Sequence, residues 1–419
     1  MKSQDVIVGL DIGSRAVRVA VGQRQERPDG GALHIISAVE VPSEGVSKGT
    51  ITSLEDAVSS VSKALEKAER MAGQPLVSAW VGIGGPHIIA QESKGVVGVA
   101  RADGEIREED VDRAIDAARA VATPANYEII HVIPKSFTVD GQRGVKDPVG
   151  MNGIRLEVDA VIIQGLTSQM KNLTKSVYRT GIDIDDLVFS GLATAESLLT
   201  SRQKDLGVCV MNLGASTTSL VVFEEGDVLH TAVLPIGSDH ITSDIAIGLR
   251  TSLETAEAIK LACGNAVSDG IGKKDEVRLS DYGAAEDEEV SRKYIVEIIE
   301  ARVEEIFKKT DEELARVGRS GMLPSGIILA GGGAKLPGII EVAKRQLRLP
   351  ATLGSCIGVN TVIDRVRDPG FATAVGLVKW GEQIMATSSG NAWGNLFAKW
   401  RNVENVKKSL VGWLKSLRP

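Results

Sequence analysis

Apolar positions alternate and cluster along this chain in a pattern that predicts an α/β protein built from two similar halves. The stretch VIVGLDIGSRAVRVAVG (6–22) reads as an apolar strand, a turn at Gly13 and a second, alternating strand, hence a hairpin. The stretch LGVCVMNLGASTTSLVVF (206–223) repeats the plan, and a shift of 201 residues lays Asp11 on Asn212 and Gly13 on Gly214. Solenoid repeats recur every ~20–50 residues, so this distance points to two halves of a duplicated domain that face each other. Between the hairpins, helical periodicity at 54–71, 107–121 and 168–180 separates β-rich stretches around 77–100, 127–139 and 154–164. Residues 78–163 read as an inserted unit, with VSAWVGIGG leaving the first domain and RLEVDAVIIQG returning to it. Further on, 241–264 predicts a helix, 268–289 a polar loop and 290–318 a long charged helix. SGIILAGGGAKLPGI (325–339) then supplies a strand, a glycine loop and a helix start, and ATSSGN (386–391) has the composition of a short linker.

The last segment changes pattern again. From 403 to 418, Val403, Val406, Leu410, Trp413, Leu414 and Leu417 recur at three and four, with Glu404, Lys407, Lys408, Lys415 and Arg418 on the other side. Such a helix is about 24 Å long at ~1.5 Å per residue, too short and too charged for a hydrocarbon core of ~30 Å. It is expected to lie in the membrane interface. Upstream, Trp393, Leu396, Phe397 and Trp400 form a second stripe, rotated by about 100° on a continuous helix, which predicts a break near Asn402 or Asn405. Docking on its own domain is the ordinary fate of a terminal amphipathic helix. Here the basic face, three Trp residues and a preceding linker favour an anionic lipid surface.

Charge agrees with this division. The 419 residues carry a net charge of −7, yet 399–418 alone sums to +5 and leaves −12 for the rest. An acidic body argues against nucleic acid, and the basic end asks for an anionic partner there only. A hydrophobic content of 43% permits a large core and several domains. The three cysteines, Cys209, Cys263 and Cys356, form no CxxC pair, so neither a disulfide framework nor a zinc site is suggested and a reducing compartment fits. The N-terminus has no signal-peptide regions, and no run of ~18 apolar residues exists, so the protein is expected inside the cell.

Both hairpin turns have the chemistry of a phosphate cradle, because backbone N–H groups reach a phosphate only where side chains stay out of the way. Asp11 and Asn212 precede their glycines by two residues and share a strand face near the turn. That suits them to hold a hydrated Mg²⁺, and Ser14, Thr217 and Thr218 add hydroxyls. LAGGGAK (329–335), with Gly331, Gly332 and Gly333, would let adenine and ribose lie against the backbone. A single DxG after a strand is usually an ordinary turn; two aligned copies plus a strand–GGG–helix are not. No GxGxxG follows an early strand, and no GxxxxGK[ST] occurs.

In order, GLDIGSRAVRVAVG, LVFSGLATAESLLT, CVMNLGASTTSLVVF, IILAGGGAKLPG and DPGFATAVGLV resemble the five signature segments of the actin, Hsp70 and sugar-kinase superfamily. LPIGSDHITSDIA, TAEAIK, the inserted unit and the terminal helix are similar to the FtsA family of bacterial cell-division proteins in particular. The resemblance covers the chain to about residue 385. It implies an actin-like fold: subdomain 1A from 1–83 and 164–204, an inserted subdomain 1C at 84–163, 2A from 205–240 and 310–385, 2B at 241–309, a linker at 386–392 and a membrane tail at 393–419. It also implies ATP and Mg²⁺ in the cleft, with Gly237, Glu257 and Lys260 near the phosphates and ribose. Self-association into filaments would use the insert. The C-terminal peptide of FtsZ would bind subdomain 2B along the helix at 291–307, where Arg292 and Arg302 suit an acidic peptide. Later division proteins would follow, at the cytoplasmic face of the membrane at the division site. Relatives with other roles are a pilus-assembly scaffold and sugar kinases; the former typically lacks the basic tail, and a kinase needs a catalytic carboxylate that is not evident.

Departures from the family pattern bear on chemistry. The second turn has Asn212 where Asp is usual, and Ala215 and Ser216 where glycines are usual. Ser190–Gly191 stands where hydrolytic relatives place an acidic or amide side chain, and Ala16 replaces a basic residue whose charge Arg15 or Arg18 can supply. Slow or absent ATP hydrolysis is therefore expected, with the nucleotide acting as a clamp between halves.

Overall fold

A computed structural model describes residues 6–25, 32–101, 103–120, 123–272, 275–284 and 288–388. The expected membrane residues, Trp393, Phe397, Trp400, Lys407, Lys408, Leu410, Trp413, Leu414, Lys415 and Leu417, lie outside the described residues. The first half opens with a meander of β1 (Val6–Ile12), β2 (Ala16–Gln25) and β3 (Ala32–Pro42). A small hairpin, β4 (Val46–Ser47) and β5 (Thr50–Ile51), leads to α1 (Leu54–Ala72). That helix buries Ala57, Val61, Ala64, Leu65 and Ala68 at helical spacing. Ser53 caps its start, and Gly73, left-handed at φ 71°, ends it. β6 (Ser78–Ile83) then runs parallel to β1.

The chain now leaves for a separate layer: β7 (Ile88–Gly98), α2 (Glu108–Arg119), β8 (Tyr127–Val139), β9 (Gln142–Val145) and β10 (Arg155–Leu166). Its sheet has the order β7-β10-β8-β9 and a core of its own around Ile106, Ile115, Phe137 and Leu156. α3 (Thr167–Tyr178) leads back to β11 (Asp183–Phe189), which pairs parallel with β6, and α4 (Ser190–Leu198) and α5 (Ser201–Leu206) follow. The returning strand is thus β11. β10, read from sequence as returning, satisfies its backbone antiparallel to both β7 and β8 inside the insert.

The second half contains β12 (Val208–Leu213), β13 (Thr218–Glu224), β14 (Asp227–Leu234), α6 (Ser238–Leu249) and α7 (Leu253–Cys263). After these come β15 (Glu276–Arg278), β16 (Glu289–Ser291), α8 (Arg292–Arg316), β17 (Ile327–Ala330), α9 (Ile339–Leu347), β18 (Ala351–Leu353) and α10 (Ala372–Ser388). The single helix expected over 241–264 is two. Arg250 turns left-handed at φ 50°, and the Ser252 side chain caps the new helix by accepting the Thr255 N–H at 3.1 Å. The expected polar loop contains β15, which pairs with β16 across its end, and the charged helix begins at Arg292 rather than 290.

The two halves share one topology. Their sheets run β3-β2-β1-β6-β11 and β14-β13-β12-β17-β18, with the same two antiparallel and two parallel pairings in the same places. Each half also lends a helix to the other: α10 packs on β1 and β2, and α4 on β12 and β13. Small residues permit this. A Cβ on Gly9 would stand 2.2 Å from the Ala374 carbonyl oxygen, and one on Gly376 would stand 1.7 Å from that of Ala193 where the two helices cross. One apolar cluster consequently runs from Leu10 and Val19 through Leu192 and Val375 to Val210 and Phe223.

Candidate functional site

The two hairpin turns close in the same way. The Gly13 N–H donates to the Ala16 carbonyl at 3.0 Å, and the Gly214 N–H to that of Thr217 at 2.9 Å. Registers match too: Asp11 pairs with Arg18 and Asn212 with Ser219. Between the turns lies a cleft of ≈ 430 Å³ that the second half completes with Glu257, Lys260 and the Gly331–Gly333 corner. Asp11, Gly13, Ser14, Arg15, Arg18, Asn212, Gly214 and Thr217 all line it.

Two expected residues do not. Thr218 is fully buried, and its hydroxyl donates to the Ile236 carbonyl at 2.7 Å. Thr218 opens β13 and faces the core, while its neighbours Thr217 and Ser219 line the cleft, the alternation a strand imposes. Gly237 stands behind the second turn, where a Cβ would lie 2.5 Å from the Ala215 carbonyl oxygen, and its N–H donates to His240 Nδ1. The triple glycine divides its duties. Gly331, left-handed at φ 86°, would bring a Cβ within 2.4 Å of Asn212 Oδ1, and Gly333 would bring one within 2.6 Å of Leu213 Cγ. Only Gly332 has open space in front of it, so ligand approach explains one glycine and close packing on β12 explains two.

Charges pair across the site. Arg18 Nε donates to Glu40 at 2.6 Å, while the guanidinium lies 5.9 Å from the centre of the Phe371 ring. Asp11 faces Arg18, but desolvation outweighs that attraction and pushes its carboxyl up to about 6. Arg15 Nε reaches Asp239 Oδ1 of the opposite half at 2.9 Å, and its terminal nitrogen lies 3.8 Å from Glu257. Lys260 Nζ lies 2.7 Å from Glu257 Oε2 and donates to Thr242 Oγ1 at 2.8 Å. Ser14 Oγ accepts the Gly49 N–H at 3.1 Å, which ties the first turn to the β4–β5 hairpin.

Sequence reasoning missed several partners. Asn212 Nδ2 donates to Thr194 Oγ1 at 3.2 Å and to Thr373 Oγ1 at 3.1 Å, and those hydroxyls lie 2.9 Å apart where α4 meets α10. Asp239, Glu40 and Lys335 also belong to the site or its rim, and Ser190, already marked by its departure from the family pattern, lines the cleft. Thr194, Thr373 and Asp239 fall within segments the sequence had singled out, but nothing in the letters says which side chains turn inward. Among the described residues no cluster of three or more His, Cys, Asp or Glu could cage a metal. One carboxylate and one amide oxygen nevertheless suit Mg²⁺, which keeps several waters and takes much of its coordination from phosphates. Neither Arg292 nor Arg302 lines the cleft. Arg302 forks onto both oxygens of Asp244 and also pairs with Glu305, and Arg292 Nε donates to the Cys263 carbonyl at 3.2 Å.

Comparison with known proteins adds ancestry. Residues 209–376 match the family described as cell division protein FtsA, and residues 85–164 match the SHS2 domain inserted in FTSA. The cell division protein FtsA of Pseudomonas aeruginosa is 36% identical over 417 residues, 98% of this chain and 99% of that one. Among solved structures, a PilM–PilN type IV pilus biogenesis complex is similar with a TM-score of 0.63 at 17% identity, covering 90% of this chain and 98% of that chain. MreB5 of Spiroplasma citri bound to ADP is similar with a TM-score of 0.53 at 12% identity, covering 92% and 99%. At such identities these structures show the fold alone.

Proposed function

The chain belongs to the FtsA family of cell division proteins, and from that premise we propose that it binds ATP with Mg²⁺, polymerises and tethers the FtsZ ring to the membrane. It has a role in cell division, and its fold is actin-like, two duplicated halves with an inserted subdomain. One observation carries the nucleotide reading: two equivalent turns and the Gly331–Gly333 corner converge on a single cleft between the halves. MreB5, of similar fold, was solved bound to ADP.

Phosphates would take the N–H groups of the two turns, with Arg15 and Arg18 as counter-charges. Glu257 and Lys260 suit ribose, and the face of Gly332 suits adenine. Asp11 would hold metal-bound water, and a bound Mg²⁺ would neutralise phosphate charge. Neither Asn212 nor Ser190 brings a carboxylate to orient a water, so turnover is slow or nil and the ligand works as a clamp. Self-association would use the insert. The FtsZ C-terminal peptide would dock on 241–309, where Ile247 (76% exposed) and Tyr294 (46%) offer apolar contact beside α6 and α8. Both arginines already have partners, Arg302 in Asp244 and Arg292 in the Cys263 carbonyl, so an acidic peptide would compete with those contacts. The tail would hold the assembly at the cytoplasmic face, where later division proteins join. Calorimetry tests the foundation: uptake of ATP or ADP near one per chain is expected, and no uptake at millimolar ligand removes the reading.

A further inference from the structure

We propose that Asp239 is an internal competitor for nucleotide phosphate, occupying the Arg15 guanidinium until phosphate displaces it; this rests on the nucleotide reading above. Arg15 belongs to the first turn, and Asp239 opens α6 in the opposite half, 224 residues away. The carboxylate is held in place. Its Oδ2 accepts the Ser216 hydroxyl at 3.0 Å, and the Asp239 N–H donates to the Ala215 carbonyl at 2.7 Å. Asp239 is therefore an extension of the second turn, and its pair with Arg15 bridges the two turns.

Carboxylate and phosphate are alternative partners for the same guanidinium fork. The Arg15 side chain is 55% exposed and that of Asp239 29%, so the pair is a weak one that a more highly charged phosphate can outbid. Exchange has an energetic consequence for each partner. Arg15 passes from carboxylate to phosphate and gains. Asp239 keeps Ser216 but loses its cation and is left facing a like charge. It therefore opposes binding twice, by holding Arg15 beforehand and by repelling phosphate afterwards.

This gives the two members of one ion pair opposite signs, which a merely structural bridge does not. Full-length Arg15→Ala, Asp239→Asn and the double variant would be titrated with ATP by calorimetry, with melting of the nucleotide-free proteins as a folding check. Arg15→Ala is expected to weaken ATP about tenfold or more. Asp239→Asn is expected to tighten it about two- to fivefold, a gain that misfolding cannot produce. In the double variant the gain from Asp239→Asn should shrink, because only the repulsion is left to remove. Weaker or unchanged ATP binding by Asp239→Asn overturns the proposal. If the unsubstituted protein takes up no ATP, the nucleotide reading itself fails, which is a separate result.

Discussion

At the scale of single residues, Asn212 decides the character of the cleft floor. Thr194 donates its hydroxyl to the Ser190 carbonyl at 2.7 Å, so lone pairs face the Asn212 amide nitrogen, and the amide is the complementary donor. A carboxylate would face those lone pairs instead and would add charge in a poorly hydrated place. Asn212→Asp is therefore expected to lower the stability of the metal-free protein by about 1–3 kcal/mol, to recover part of it with Mg²⁺, and to raise ATP turnover. Melting with and without Mg²⁺, together with phosphate release, checks all three; unchanged turnover counts against the lost-charge account. His87 makes a second residue-scale case. Its ring nitrogens are buried without a protein partner beside a small cavity that Gly49 and Gly84 share with the main cleft, and burial pushes its pKa down to about 4. The unfolded value lies near 6.5, so the unfolded chain takes up the proton first as pH falls. Stability tied to neutral His87 is thus complete above pH ~6.5 and fades toward pH ~4. Melting temperatures across that window should fall less steeply for His87→Asn than for the unsubstituted protein, whereas parallel curves would exclude the histidine as the cause.

At the scale of elements, the crossing of α4 and α10 joins the halves beneath the cleft. Ser197 donates to the Ala372 carbonyl at 2.7 Å, Lys379 Nζ to that of Glu196 at 2.6 Å, and Gln383 Nε2 to the Glu196 carboxylate at 2.6 Å. Contact is closest at Gly376, whose missing side chain lets the helices touch backbone to backbone. Gly376→Val should push them apart, cost about 1–3 kcal/mol or more in urea unfolding, and weaken nucleotide binding through the displaced Thr373. A fully stable variant with normal ATP uptake would show that the crossing tolerates a gap. The sequence announced the hairpins and the glycine corner because turns leave local marks: a glycine at a fixed offset and a strand with alternating faces. It did not announce the helix exchange, since the apolar surface of α10 looks the same whichever sheet it covers. The break at Arg250 was hidden for a related reason. Apolar periodicity runs through it, and a left-handed arginine carries none of the punctuation of a glycine. Thr218 could have been excluded from its neighbour alone, because Thr217 already claimed the cleft face.

At the scale of the whole molecule, charge and continuity bear on the proposed attachment to a membrane. One apolar cluster is shared between the halves, whereas the 241–309 region packs in a second and the insert has a third of its own. Among the described residues no helix is long and apolar enough to cross a membrane. An anionic leaflet would repel the −12 body, so the proposed attachment would have to fall to the +5 segment at 399–418. Each basic residue near such a leaflet contributes about 1 kcal/mol, and inserted apolar side chains would add to it, which would give one chain only modest affinity. Linked copies on a filament rebind at an effective concentration, so attachment should rise steeply with polymerisation. The full chain and a chain ending at residue 390, which keeps all of α10 as described to Ser388, would be floated with anionic liposomes at low and high salt. The full chain should float at low salt and weaken as salt screens the basic face, and the shortened chain should stay behind. Equal flotation would mean that the body itself meets the lipid against its own charge, and the tail would then have to be explained as a helix that docks on protein.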